Sequence, residues 1–117
     1  FVGINLMFND DIGPYAWGGS KYATLDGRSS SWRVTWEPPW GYGNICVMDH
    51  EMGHGFGLPH SAFNPSTVYD NAWDVMSDTW SYTAWDGTYG SVGQHTIMYH
   101  KDGILGWLRP PEKVTVN

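Results

Sequence analysis

His50, Glu51, His54 and His60 stand in the order His-Glu-x-x-His-x-x-Gly-x-x-His, with Gly57 between the second and third histidines. Residues four apart on an α-helix lie about 40° from each other and about 6 Å along the axis. His50 and His54 therefore share a face and can chelate one cation, and this spacing suits zinc. Glu51 falls roughly 100° further round the helix from His50, beside a metal without being forced onto it. A carboxylate that takes a proton from activated water has to stand there. If the helix continued, His60 would point away from the pair, about 9 Å further along. Gly57 can end the helix in the left-handed conformation, and Pro59 prevents its resumption. Three imidazoles with an open fourth position match a catalytic zinc centre rather than a structural one.

The elements around this stretch must position it. Asn44 is a good N-cap for the helix. Ile45, Met48, Met52 and Phe56 recur at helical spacing and are expected to face the core, leaving the histidines toward a cleft. Gly53 and Gly55 each cost up to ~1 kcal/mol relative to alanine, which implies close backbone packing or room for substrate. Upstream, residues 31–37 alternate as a half-buried strand that Pro38 and Pro39 end. Residues 1–8 read as a strand buried on both faces, and Asp26-Gly27 as a turn after a short strand near Tyr22 to Leu25. Asp10 and Asp11 are carboxylates that calcium could use, but without EF-hand spacing they read as a solvated turn.

Downstream, residues 61–72 form a loop. Residues 80–89 hold Trp80, Tyr82, Trp85 and Tyr89 and are expected mostly to fill the core; exposed, they could bind sugars or shape a specificity pocket. A second helix is expected from Ser91 or Gly93 through Lys101. His95 and His100 are five apart, a poor chelating pair, and read as surface or structural residues. Residues 108–111 look like a linker into a strand-like end at residues 112–116.

Composition bounds the function. A chain of 117 residues accommodates one domain with a modest core. Its net charge of −6, from 12 acidic and 6 basic residues, offers no basic patch to nucleic acid or to an anionic membrane. A polypeptide or glycoprotein substrate is more compatible. No apolar run approaches the ~18 residues of a membrane span. The single cysteine, Cys46, has no intramolecular partner and reads as a small buried hydrophobe. Strand-like character at both ends suggests a domain trimmed from a larger secreted precursor.

The pattern at His50, Glu51, His54, Gly57 and His60 resembles the zinc signature of the metzincin metallopeptidases. Trp73-Asp74-Val75-Met76-Ser77 is similar to that family's methionine turn, with Met76 as the matching residue. Ser61 is similar to the matrixin branch; Ala16-Trp17-Gly18-Gly19 and residues 99–107 look more like gametolysin-type relatives. The resemblance is specific over residues 44–78. It implies an α+β fold: a small mixed sheet with the active-site helix above the cleft and a C-terminal helix below. Residues 1–57 would form the upper subdomain and 58–117 the lower. It implies a secreted zinc endopeptidase with one ion on His50, His54 and His60, Glu51 as general base, and Met76 packed beneath. The strand carrying Val34 and Trp36 would be the cleft edge along which an extended substrate adds. Some metzincins place a tyrosine two residues after the methionine, where this chain has Asp78. Asp78 is left to hydrogen-bond a ligand histidine or to meet substrate, and Tyr82 becomes a candidate donor. The alternative is a non-catalytic, zinc-containing protein- or glycan-binding module.

Overall fold

The computed structural model describes residues 3–11 and 13–114, a small mixed α+β domain with a few strands and one α-helix. Three strands, β1 (Gly3–Met7), β2 (Trp17–Leu25) and β3 (Arg28–Glu37), form a sheet in the order β1-β3-β2. β2 and β3 are an antiparallel hairpin whose two-residue turn, Asp26-Gly27, has φ of 49° and 76°. Positive φ at both positions is the twist-matched turn, which Asp-Gly tolerates. β1 runs parallel to β3, in register from Gly3 opposite Arg33 to Met7 opposite Glu37.

Two strand expectations are corrected by this order. The segment carrying Val34 and Trp36 is the central strand, and β2 is an edge. β1 is an edge too rather than a strand buried on both faces, with Leu6 and Met7 half-exposed; Phe1 and Val2 lie outside the described residues. Arg33 faces the helix, where its Nε donates to the Gly55 carbonyl at 3.0 Å and its guanidinium lies 4.7 Å from the Phe56 ring. With a period of two, Val34 and Trp36 take the opposite face.

Helix α1 (Ile45–Gly55) lies across the sheet. Asn44 caps it as expected, its side chain accepting from the Cys46 amide. The far end closes with paired bonds, Gly57 N–H to His54 O and Leu58 N–H to Gly53 O, both 3.0 Å. Gly57, at φ 87°, makes that closure and turns the chain back. The buried side of α1 differs from the one read by apolar spacing. Cys46, Val47, His50, Gly53 and Gly55 are buried, whereas Met52 and Phe56 are exposed. The helix packs through its smallest residues, because the methionine-bearing segment and β2 both approach its backbone. Cys46, Leu58, Val75 and Met76 form the core cluster beneath it.

The second helix is also corrected. Gly90–Val92 is strand β5, paired with β4 (Ala84–Asp86), and helical structure is confined to a short turn ending in the wide π turn His100–Ile104. Tertiary partners take polar groups of Gln94 and His95. The His95 carbonyl accepts from Val75, and the Gln94 side chain donates to the carbonyls of Asp74 and Asp78. A Cβ on Gly93 would sit 2.6 Å from Cys46 Sγ, so the chain passes tightly against α1. Of the strand-like end expected at residues 112–116, Glu112 closes a 3₁₀ turn (Pro110–Glu112) and Lys113 and Val114 join no strand; Thr115 and Val116 lie outside the described residues. Trp80, Tyr82, Trp85 and Tyr89 are exposed rather than core-filling.

Candidate metal centre

The bonds that close α1 also aim its histidines. His54 Nδ1 lies 2.8 Å from the Leu58 carbonyl, and His50 Nδ1 lies 2.7 Å from the Val75 carbonyl. A carbonyl oxygen only accepts, so each Nδ1 carries the proton and each Nε2 keeps its lone pair. Those Nε2 atoms stand 3.1 Å apart, and His60 Nε2 is 3.0 Å from that of His54. His60 reaches this point because the Ser61 amide bonds the Met76 carbonyl at 3.0 Å.

Two converging lone pairs at 3.1 Å cannot hydrogen-bond to each other; a cation between them can use both. The donor atoms of all three rings lie within 4.8 Å of one another. Tetrahedral zinc with Zn–N of about 2.0–2.1 Å needs nitrogen pairs roughly 3.4 Å apart, so a small relaxation would accommodate the ion. His50, His54 and His60 are thus close enough to bind a metal, and theirs is the grouping of this kind found among the described residues. Asp10 Oδ1 is engaged by the Asp11 amide.

The protonation state suits this. Burial pushes His50 down to about 4, with His54 and His60 adding to the fall while the Val75 carbonyl and Asp74 oppose it. Burial, then His54, lowers His60 as well. Both rings are neutral at pH 7 and free to ligate.

Glu51 borders two of the cavities at the histidines, one lined by His50 and one by all three rings. Burial raises its carboxyl to about 7, against a smaller downward pull from the Gly18 amide. β2 comes this close because residue 18 is glycine; a Cβ there would overlap the Glu51 carbonyl. Met76 is fully buried, and its thioether lies against α1 at Gly53. Asp74 ties the turn together: Oδ1 accepts the Met76 amide, and Oδ2 lies 3.0 Å from the buried His100 Nδ1.

The remaining site candidates fall in different places. Asp78 shares a cavity with His50 and Glu51, but its Oδ1 accepts the amides of Trp80 and Ser81, while the Nδ1 atoms of His50 and His54 bond carbonyls. Tyr82, Val34 and Trp36 line neither cavity at the histidines. Trp36 packs against Trp17, which does line one, at 5.2 Å between centroids. The sequence reading missed Tyr69. Its hydroxyl is 3.4 Å from His60 Nε2, its ring centroid is 5.0 Å from that of His60, and it borders both cavities. Nothing in its spacing sets it apart from other tyrosines; only the path of the loop brings it in.

Compared with protein-family models, curated proteins and solved structures, the chain has no significant match.

Proposed function

We propose that this protein is a zinc-dependent endopeptidase of the metzincin kind, cleaving polypeptide or glycoprotein substrates outside the cell. One observation carries the reading: three imidazole Nε2 atoms converge, two of them with tautomers fixed by backbone carbonyls, beside a carboxylate whose affinity for protons is poised near neutrality. Zinc bound there would supply Lewis acidity toward water and toward a substrate carbonyl.

The chain's own groups do the rest. Glu51 takes the proton of the attacking water and hands it to the departing amine, which needs one carboxylate within reach of both. Tyr69, beside His60, presents a phenol to the same space. β2 is the sheet edge next to Glu51, so an extended substrate pairs there, in place of the Val34–Trp36 strand. Met76 keeps the ligand helix and the returning chain in register by packing.

A second reading, a non-catalytic zinc-containing protein- or glycan-binding module, draws on the exposed rings of Trp80, Tyr82, Trp85 and Tyr89. Incubation of the zinc-loaded protein with casein, with and without chelator, separates the two. The endopeptidase reading expects chelator-sensitive cleavage, and Glu51→Gln should retain zinc while losing at least about 100-fold in rate. Wild-type cleavage by Glu51→Gln would refute the assignment of the base. Stoichiometric zinc without any cleavage would favour the binding module.

A further inference from the structure

A cavity of about 390 Å³ is bordered by His50 and Glu51 on one side and by Ser77, Asp78 and Thr79 of the segment after Met76 on the other. Tyr15, Tyr69, Trp40 and Trp80 give it aromatic walls, with the two indole centroids 6.0 Å apart. Asn44 Nδ2 donates to the Thr79 carbonyl and so anchors the Trp80 wall to the start of α1. The cavity is near the small end of ligand sites, which begin at about 300 Å³, and suits one long side chain. Its acidic lining groups are Asp78 and Glu51; among the described residues no lysine or arginine lines it or the cavity bordered by all three histidines, while Arg28 and Arg33 line a further cavity that His54 borders.

This lining discriminates among side chains. A carboxylate would meet the like charge of Asp78. An apolar chain would fit the rings but displace water from Asp78 without replacing its hydrogen bonds. A cation on a flexible apolar stem satisfies both features, with its methylenes and charge against the rings and its N–H groups toward the carboxylate. Asp78 is ready for this. The amides of Trp80 and Ser81 fix its Oδ1 at 2.8 and 3.0 Å.

We propose that this cavity receives a lysine or arginine side chain of the substrate beside the bond to be cleaved, with Asp78 as the specificity-determining residue. The inference rests on the peptidase reading for the word substrate, but the cavity's preference can be measured without hydrolysis. The zinc-loaded Glu51→Gln protein is titrated with two peptides that differ only in lysine against norleucine, following tryptophan fluorescence. The lysine peptide should bind about tenfold more tightly at low salt, and the margin should shrink as salt is raised. In Glu51→Gln/Asp78→Asn, where the amide oxygen can still accept both backbone donors, the margin should fall below about twofold. Equal binding of the two peptides to Glu51→Gln, or a margin unaffected by Asp78→Asn, overturns the proposal. In parallel, wild-type protein is given a mixed peptide library. Cleavage next to lysine or arginine supports both readings, and cleavage without basic preference overturns this one. A lysine margin without any cleavage supports the cation pocket and counts against the peptidase.

Discussion

Gly53 lies in the middle of the ligand helix, where alanine would ordinarily add up to ~1 kcal/mol of stability. The packing reverses that sign. A Cβ at Gly53 would overlap Met76 Sδ and come within 3.2 Å of Met76 Cε and 3.5 Å of Leu58 Cδ1. Met76 has no exposed surface, and its backbone is held at both ends, by Asp74 Oδ1 on the amide and the Ser61 amide on the carbonyl. Overpacking costs about 1–3 kcal/mol, and a buried Met76 that cannot swing aside puts this case in the upper part, about 2–3 kcal/mol; less the helix gain of up to ~1 kcal/mol, Gly53→Ala should be destabilised by roughly 1–2 kcal/mol net. That corresponds to a fall in Tm of about 3–10 °C for a domain of this size. The displacement also reaches the ligands, because Ser61 follows His60 and the Val75 carbonyl holds His50. Zinc affinity should drop by about 10–100-fold, as when groups supporting ligands are lost. Gly55→Ala is the control: its Cβ would meet Arg33 Cβ at 3.4 Å and the Gly19 carbonyl at 3.6 Å, ordinary contacts. It should be neutral or slightly stabilising. Urea melts give the stabilities and competition with a chelating dye gives the affinities. Combining Gly53→Ala with Met76→Ala should recover at least about 1 kcal/mol relative to the sum of the single changes. A Gly53→Ala protein as stable as wild type, or a coupling near zero, would refute the packing argument.

Glu37 is fully buried and neither carboxylate oxygen has a hydrogen-bond partner among the described residues; burial, then the charge of Glu51, raises its carboxyl to about 7. The folded state therefore holds a proton that the unfolded state releases near pH 4.5. Stability should fall by about 3 kcal/mol as pH rises from about 4.5 to 7 and not change further through this group above that. Glu37→Gln should flatten that slope in melts taken at several pH values, and an unaltered slope would exclude Glu37 as its source. Asp74→Ala removes the buried acceptor of the Met76 amide and the partner of His100, so it should cost about 2–4 kcal/mol in urea melts; a loss under 1 kcal/mol would contradict that role. His54→Ala removes the ring nearest both other ligands. It should abolish stoichiometric zinc in metal analysis of the dialysed protein, and retained tight zinc would refute the ligand set.

The sequence made the histidine cluster legible because helical spacing alone puts His50 and His54 on one face, and Gly57 and Pro59 announce the turn that returns His60. Asn44 and the Asp26-Gly27 turn were legible for the same reason: local chemistry decides both. Strand order was not. Residues 31–37 have the alternation of a half-buried strand whether or not a second neighbour pairs with them, and β1 supplies that neighbour through a parallel contact remote in sequence. The buried side of α1 escaped an apolar pattern because glycine and histidine occupy it. Residues 93–97 looked helical, but Val75 claims the His95 carbonyl, and the Gln94 side chain bonds the carbonyls of Asp74 and Asp78. Tyr69 was invisible for the same long-range reason. Its loop is folded by Asp70, whose carboxylate accepts from the amides of Phe63 and Asn64 and the hydroxyl of Thr67.

The rings of His50 and His54 are aimed by main-chain oxygens, those of Val75 and Leu58. Many metal sites give that duty to a second carboxylate, which one base change can delete. Here every amino acid supplies the required acceptor, so residues 75 and 58 can change with the core they pack in while the imidazole tautomers persist. The vulnerable quantity is instead the route of the backbone: the left-handed step at Gly57 and the turn held by Asp74. Imidazole orientation is in this sense encoded by chain path rather than by side-chain identity.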